Sequence, residues 1–548
     1  VNNMICVSSY PGNRFAQVLE ISPKGNEELT NPSLYKKKIA LGKKKTQITE
    51  QERVLFKELD FFLSKYNDEQ KKAIISQAKN ILCIAGAGSG KTSVLTKRIE
   101  FLVRYRAVQP NKILAITFTR KARREMEHKL EVLGVIGVNV ETFNSFCEKI
   151  LKKYASLVYS RPTKLITYPE KILLMSFALK ELNLTMDNAT DKYFSDNQKK
   201  NKEQHQLSNL FMNDCFSVLE YFKSKNEPIY DFSEEVDEED FENAKIIYGV
   251  CSSLERQMKI IGLRDYIDQI LDAIKFFKEK PQYIPEFEHV LIDEYQDVNA
   301  MQIELVDLIK KNNIFAVGDP RQSIFGWRGS DISFILNFSE KFEDCEKIYL
   351  VKNYRSNKKI VDFMNHSIRQ MKAPDLESTK DCHSEISLTD FDSEEDEHNF
   401  VIKEILNLKS KVNGDEIFVL ARTNRQLNAL STKLKANNIS HVVSTDEIKK
   451  PTIANSGDIT LATIHAIKGL EAKIIFVIGC SELNFPCKAS DHPVIELVKM
   501  SMQEYDKEEE EKRLFYVAIS RAKEKLYLTY SGKKPTYFIN KEMLDMID

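Results

Sequence analysis

Short, uninterrupted apolar runs separated by mixed helical stretches set the pattern of this chain. Ile81-Leu82-Cys83-Ile84-Ala85, Lys112 to Thr119, His289 to Ile292 and Ile314 to Val317 are continuous rather than alternating. Runs of that kind suit strands buried on both faces, as in a parallel sheet. Helical stretches such as Arg120 to Leu133 lie between them. Strands alternating with helices predict an α/β protein with a doubly wound parallel sheet. A second α/β unit is expected from about Lys347 (KIYLV), continuing through Glu416 to Ala421, Ile459 to Thr463 and Lys473 to Gly479. Residues 151–258 break the pattern: they are polar, helical in character and poor in Gly, and carry no strong strand signal. They predict a helical insertion with two exposed loops, Asp196 to Gln206 and Glu234 to Asp240. The expected units are an extension over 1–60, a first α/β unit over 61–150 and 259–345, the insertion over 151–258, and a second α/β unit over 346–548. No internal repeat is visible.

Composition narrows the class. At 548 residues the chain exceeds one ordinary core. With 42% apolar and 29% charged residues it can bury cores, which excludes global disorder. Mean hydropathy is −0.38, and no run of about 18 apolar residues occurs, so a membrane span is not expected. Residues 1–25 show no signal-peptide pattern. The nine Cys are scattered without a CxxC pair, as in reduced intracellular thiols, and with the nine His they form no zinc pattern. An intracellular location is expected, in cytoplasm or nucleoid, or in a nucleus if the source is eukaryotic. The net charge of −1 argues against a nonspecific polycation but leaves room for a local basic groove. Lys36-Lys37-Lys38 and Lys43-Lys44-Lys45 mark the lead-in as a solvated extension, a nucleic-acid-touching arm or a nuclear address.

The first apolar run leads into Ala85-Gly86-Ala87-Gly88-Ser89-Gly90-Lys91-Thr92-Ser93 and an amphipathic helix. This matches GxxxxGK[ST] with Ala85 at the first glycine's place. Small residues let backbone N–H groups close around phosphate oxygens, and the helix N-terminus adds positive potential. Lys91 is expected at the β- and γ-phosphates and Thr92 on Mg²⁺. The run Val290-Leu291-Ile292 ends in Asp293-Glu294, an acidic pair at the carboxyl edge of a strand, where such sheets bind ligands. Asp293 is expected on Mg²⁺, and Glu294 as the group that orients and deprotonates the attacking water. Together the two elements predict nucleoside triphosphate hydrolysis.

Further segments carry a resemblance. Asn67-Asp68-Glu69-Gln70 precedes the phosphate loop, and Ile116 to Met126 (ITFTRKARREM) and Glu141 to Phe146 (ETFNSF) follow it. Then come Asp293-Glu294-Tyr295-Gln296-Asp297, Val317 to Ser330 (VGDPRQSIFGWRGS), Asn353-Tyr354-Arg355-Ser356, Thr463 to Glu471 (TIHAIKGLE) and Arg513 to Ala522 (RLFYVAISRA). In this order they resemble the Q motif and motifs Ia, Ib, II, III, IV, V and VI of UvrD/Rep/PcrA-type superfamily 1A helicases, over residues 63–530. The resemblance implies two RecA-like P-loop NTPase motor domains (1A and 2A) with a helical 1B insertion. It implies ATP and Mg²⁺ as cofactors. Gln70 would read the adenine edge, Tyr354 would stack on it, and Glu471 would hold the ribose. Gln322 would sense the γ-phosphate, and Arg355 and Arg521 would act as arginine fingers. Phe118, Thr119, Asn144, Phe325, Trp327, Arg328 and His465 would meet single-stranded DNA. Trp327 is the sole Trp, and its neighbours Gly326, Arg328 and Gly329 favour exposure over a core position.

The implied activity is ATP-driven 3′→5′ translocation and unwinding in DNA repair or replication, on single-stranded DNA next to a duplex junction. No membrane and no structural metal are expected, and a protein that loads the motor is compatible with the resemblance. Asn144 stands where the family usually has His, Val298 where Thr is usual, and Ala466 in place of a common Ser. Only 110 residues separate Arg355 from His465, and the second unit's own strands and helices need most of them. The family's 2B domain is therefore expected to be absent or reduced to a connector near Ser444 to Gly457. The sequence ends 27 residues after Arg521, too soon for the nuclease domain of RecB/AddA-type relatives. Two other readings stay open: a translocase or protein-displacing ATPase that unwinds poorly, and a nucleotide-dependent DNA-binding module. RNA remains a candidate track.

Overall fold

The computed structural model describes residues 46–548 except 201, 225–227, 343, 372, 445–456 and 488–505. Two six-stranded parallel sheets organise them. The first holds β1 (Asn80–Ala85), β2 (Ile113–Thr117), β3 (Asn139–Thr142), β4 (Phe287–Ile292), β5 (Lys310–Gly318) and β6 (Cys345–Leu350), in the order β3-β2-β4-β5-β1-β6. The apolar runs become strands because both faces are covered: all five residues of β2 are buried. Register fixes the centre, with Ile81 opposite Phe315 on one side of β1 and Ile84 opposite Tyr349 on the other. The second sheet holds β7 (Glu385–Phe391), β8 (Ile417–Ala421), β9 (His441–Ser444), β10 (Ile459–Thr463), β11 (Ala472–Val477) and β12 (Ala522–Ser531), in the order β7-β12-β11-β8-β10-β9.

One strand is placed differently from the sequence reading. The KIYLV run expected to open the second unit is β6, the edge strand of the first sheet beside β1. An apolar run carries no label for the sheet it joins. Pairing with β1 makes it the last strand of the first sheet in sequence and an edge of that sheet.

Residues 168–261 form their own layer. Helices Tyr168–Glu181, Met186–Tyr193, Gln204–Ser224 and Phe241–Ile261 enclose an apolar core that includes Leu174, Phe211, Phe222, Ile247 and Leu254. The Asp196 to Gln206 stretch, expected as a loop, contains a short helix Asp196–Lys199 and the start of the helix at Gln204. Ser195 caps the short helix through a Gln198 capping box. Glu234 to Asp240 holds two 3-10 turns. Lys223, buried at the end of the long insertion helix, bonds Asp265 at 2.7 Å and Asp268 at 2.8 Å at the start of helix Tyr266–Glu279.

Strands β9 and β10 pair directly, Val442 opposite Thr460. The segment between Ser444 and Ile459 is far below the roughly 40 residues that independent folding needs without disulfides or metals. The connector expected there, and most of the Lys-rich lead-in, lie outside the described residues. Among the described residues no helix is long and apolar enough to cross a membrane, and the eight cysteines are free thiols.

Candidate nucleotide site and nucleic-acid face

The phosphate loop leaves the carboxyl end of β1 and feeds helix Lys91–Tyr105. Gly88 and Gly90 adopt left-handed backbone, with φ of 69° and 83°, which L side chains rarely tolerate. Gly88 also needs its missing side chain: a Cβ there would lie 2.7 Å from the Arg355 Cβ. Ala85 is not among the positive-φ residues; it is the last, buried residue of β1, so a methyl replaces the motif's first glycine without strain. Ser89 Oγ closes the loop onto the Gly86 carbonyl at 2.7 Å. Ser93 is exposed, and its hydroxyl lies 3.3 Å from the Tyr66 hydroxyl.

Strand β4 delivers Asp293 and Glu294 to the same edge. Thr92 Oγ1 donates to Asp293 Oδ2 at 3.1 Å, which brings the two expected metal ligands together. Burial, reinforced by Glu294, pushes the Asp293 carboxyl up to about 6. A hydroxyl and a buried carboxylate short of positive charge fit a hard divalent cation such as Mg²⁺. Glu294 sits at φ 49° and ψ 41°, left-handed backbone that costs a non-glycine residue about 1–2 kcal/mol. Strain of this kind gathers where a side chain must be aimed. The Glu294 carboxylate lies 4.0 Å from Lys91 Nζ and accepts from Gln296 Nε2 at 2.7 Å. Burial opposes its charge, but Lys91 and Lys468 outweigh burial and hold it below the ordinary carboxylate range.

Residues beyond β6 close the other side. Asn353 Nδ2 donates to the Ala87 carbonyl at 2.8 Å, and the Tyr354 N–H to that of Gly88 at 2.9 Å. This docks Arg355 beside the phosphate loop. Its guanidinium pairs with Glu471 and donates to the Ser520 carbonyl at 2.9 Å. Arg521 is buried, bonding the Val517 carbonyl at 3.0 Å and Gln322 Oε1 at 3.3 Å. Burial, then the neighbouring Arg355, lowers it to about 9. Both arginines and Gln322 thus converge on the edge that holds Lys91 and Glu294.

Two expected base and sugar contacts are engaged within the protein. Gln70 caps its helix, accepting from Asn67 N at 3.0 Å, and donates to the Ser89 carbonyl at 2.9 Å. Its buried amide therefore tethers the phosphate loop. Glu471 is shared by Arg355 and by Lys523 at 3.2 Å. Tyr354 is 41% exposed, and its hydroxyl accepts from Asn67 Nδ2 at 2.8 Å, which leaves ring surface for stacking.

The residues expected at nucleic acid are more mixed. Thr119 is exposed and caps helix Arg120–Val132. Phe118 is half-buried, its ring edge-on to Phe143 at 5.6 Å. Asn144 donates its amide to the Tyr266 carbonyl at 2.6 Å and to Gln269 Oε1 at 3.1 Å. Phe325 is half-buried, 6.2 Å from the His465 ring and within 5.7 Å of the exposed Arg328 guanidinium. Burial, with Arg422, Arg328 and Lys468 nearby, lowers His465 to about 3, so its ring is neutral at physiological pH. Trp327 belongs to the turn Gly326–Arg328; the expectation for its side chain lies outside the described residues.

Sequence reasoning did not single out Gln296, Asp297 or Lys468. Lys468 Nζ reaches Asp297 Oδ2 at 2.5 Å and the Gln322 carbonyl at 2.8 Å. All three residues stand inside segments quoted for their motifs, but contacts across 171 positions are invisible in one sequence.

Comparison with known proteins agrees with this geometry. Residues 66–343 match the UvrD/REP helicase N-terminal domain, and residues 348–450 and 443–533 match the UvrD-like helicase C-terminal domain. The ATP-dependent DNA helicase PcrA of Staphylococcus epidermidis is 32% identical over 393 residues, covering 69% of this chain and 50% of that protein. The protein of the same name from Staphylococcus aureus is 31% identical over 403 residues, covering 70% and 51%. The chain thus spans about half the length of the curated relatives it matches. Two parallel sheets, a phosphate loop facing two arginines, and family matches over both halves lead to one conclusion: the chain belongs to the UvrD/REP helicase family.

Proposed function

We propose that this chain is an ATP-driven DNA motor that moves 3′→5′ along single-stranded DNA and unwinds duplex ahead of it, in repair or replication. The observation that carries this reading is the meeting of Lys91, Glu294 and Gln322 with Arg355 and Arg521 across one cleft. In this reading residues 61–150 and 259–345, with strand β6, form motor unit 1A, residues 151–258 form insertion 1B, and the rest of 346–548 forms 2A. Lys91 compensates phosphate charge, and Glu294 orients the attacking water and takes its proton. Arg355 and Arg521 stabilise charge on the transferring phosphoryl group. Thr92 and Asp293 would hold Mg²⁺, which neutralises phosphate charge when bound. Because the two halves of the machinery sit on different units, bound nucleotide draws the units together and hydrolysis releases them. That cycle moves the His465 surface of the second unit relative to the Phe118 and Phe325 surfaces of the first along a strand.

A second reading is favoured by the short segment between Ser444 and Ile459: a translocase or protein-displacing ATPase that unwinds weakly alone. A forked-duplex unwinding assay beside a single-strand translocation assay separates the two. Unwinding at the translocation rate supports the first reading, and translocation without unwinding supports the second. ATP turnover that no DNA or RNA oligonucleotide stimulates would contradict both.

A further inference from the structure

Lys468 comes from the turn after β10, on the second unit, yet its ammonium sits among residues of the first. It lies 2.5 Å from Asp297 Oδ2, 2.8 Å from the Gln322 carbonyl and 4.8 Å from the centroid of the Phe325 ring. Asp297 is buried, and its Oδ1 has no hydrogen-bond partner, so Lys468 and Gln296 carry its charge. Gln296 is fully buried and spends its amide nitrogen on two carboxylates, Asp297 Oδ2 at 3.0 Å and Glu294 Oε2 at 2.7 Å. The Gln296 Oε1 accepts from the Asp319 N–H at 2.8 Å, which fixes the amide's orientation.

A primary amide has two N–H donors, and here both are used. The aim of Glu294 therefore depends on where Asp297 lies, and Asp297 on whether Lys468 is present. We propose that Lys468 is a positioning residue: through Asp297 and Gln296 it aims Glu294, and through its contact with Phe325 it reports whether that ring is engaged by a nucleic-acid base. The inference rests on reading Glu294 as the base of ATP hydrolysis. When the units part or the Phe325 ring is displaced, the ammonium withdraws. A buried carboxylate without its cation then depends on the Gln296 amide alone, and draws on the group it shares with Glu294. Hydrolysis is thereby tied to an occupied track and a closed cleft.

The test compares Lys468→Met, which keeps the stem and removes the charge, with Lys468→Arg, which keeps the charge, in the full chain. ATP kcat and KM are measured with and without a single-stranded oligonucleotide, beside Glu294→Gln. Lys468→Met is expected to lower oligonucleotide-stimulated kcat at least tenfold with KM for ATP changed less than threefold, and to bring the stimulated-to-unstimulated ratio close to one. Lys468→Arg is expected to recover most of the stimulation. If Lys468→Met keeps the wild-type ratio while Glu294→Gln is inactive, the positioning role is overturned and the base assignment stands. If Glu294→Gln itself turns over at the wild-type rate, the underlying reading fails instead. A loss in Lys468→Met that appears equally in both conditions, with a lowered melting temperature and no recovery in Lys468→Arg, would make the contact mere packing and overturn the proposal.

Discussion

At Glu294 the backbone holds a strained conformation so that one carboxylate points at the phosphate edge beside Lys91. Glu294→Gln keeps that shape and removes the base, so it should bind ATP with little loss and hydrolyse it at least 10²-fold more slowly. Nucleotide binding by fluorescence anisotropy and single-turnover hydrolysis check this; lost binding would make Glu294 structural. His465 and Arg328 offer a second contrast. The His465 ring is neutral and Arg328 is exposed and charged, so Arg328→Gln should lower the salt slope of single-strand binding by about 1, while His465→Gln should leave it unchanged. Equal slopes would contradict the assignment. The depressed His465 also has a stability sign. The unfolded chain takes a proton near 6.5 while the folded one resists until about 3, so stability is intact above 6.5 and falls as the pH drops through that window. His465→Gln should flatten acid destabilisation measured by urea titration between pH 7 and 4. At this scale the meeting of Lys91, Thr92, Asp293 and Glu294 at one sheet edge was legible, because the two segments that carry them each follow an apolar run. The engagements of Gln70 and Asn144 were not, since a motif names a residue type and not its bonding partner.

Among elements, the helical insertion is tied to the first unit by charge as well as by chain. Lys223 sets one ammonium against two carboxylates, Asp265 and Asp268, in a largely buried setting. Lys223→Met would leave two carboxylates uncompensated and should destabilise the protein by about 3–5 kcal/mol. Chemical denaturation measures it; a change below about 1 kcal/mol would mean that the pair is solvated. The insertion itself was legible from its lack of strand runs, and eight of the twelve sheet strands coincide with the apolar runs of the sequence. Strand β6 shows the limit. Its residues read as a strand, as found, but sheet membership is decided by which sheet offers an open edge, here the one at β1. That is a tertiary fact with no local signature. The loop expected at Asp196 failed for the opposite reason: a polar stretch still forms a turn of helix when a Ser–Gln capping box satisfies its first N–H groups.

In the whole molecule the two sheets meet over the phosphate loop. Ala87 and Ile324 pack in the same apolar cluster as Ile360, Phe515 and Tyr516. Around that contact Arg513 Nε donates to the Ser323 carbonyl at 2.7 Å, and the Gly326 N–H to Glu510 at 2.9 Å. These bonds join the segment that carries Gln322 and Phe325 to helix Lys507–Ile519, which leads into Arg521. The order of motifs made two units legible, but not the ion pairs that bridge them, which join residues far apart in sequence. In the proposed mechanism hydrolysis needs both units, with Arg521 acting from the second on phosphate held by the first. The most direct test is the ATP kcat of Arg521→Ala at saturating single-stranded oligonucleotide, with nucleotide affinity measured alongside. A fall of about 10³-fold or more is expected, with a far smaller change in affinity. Turnover within a few-fold of wild type would contradict it, because the second unit would then contribute nothing to the chemistry.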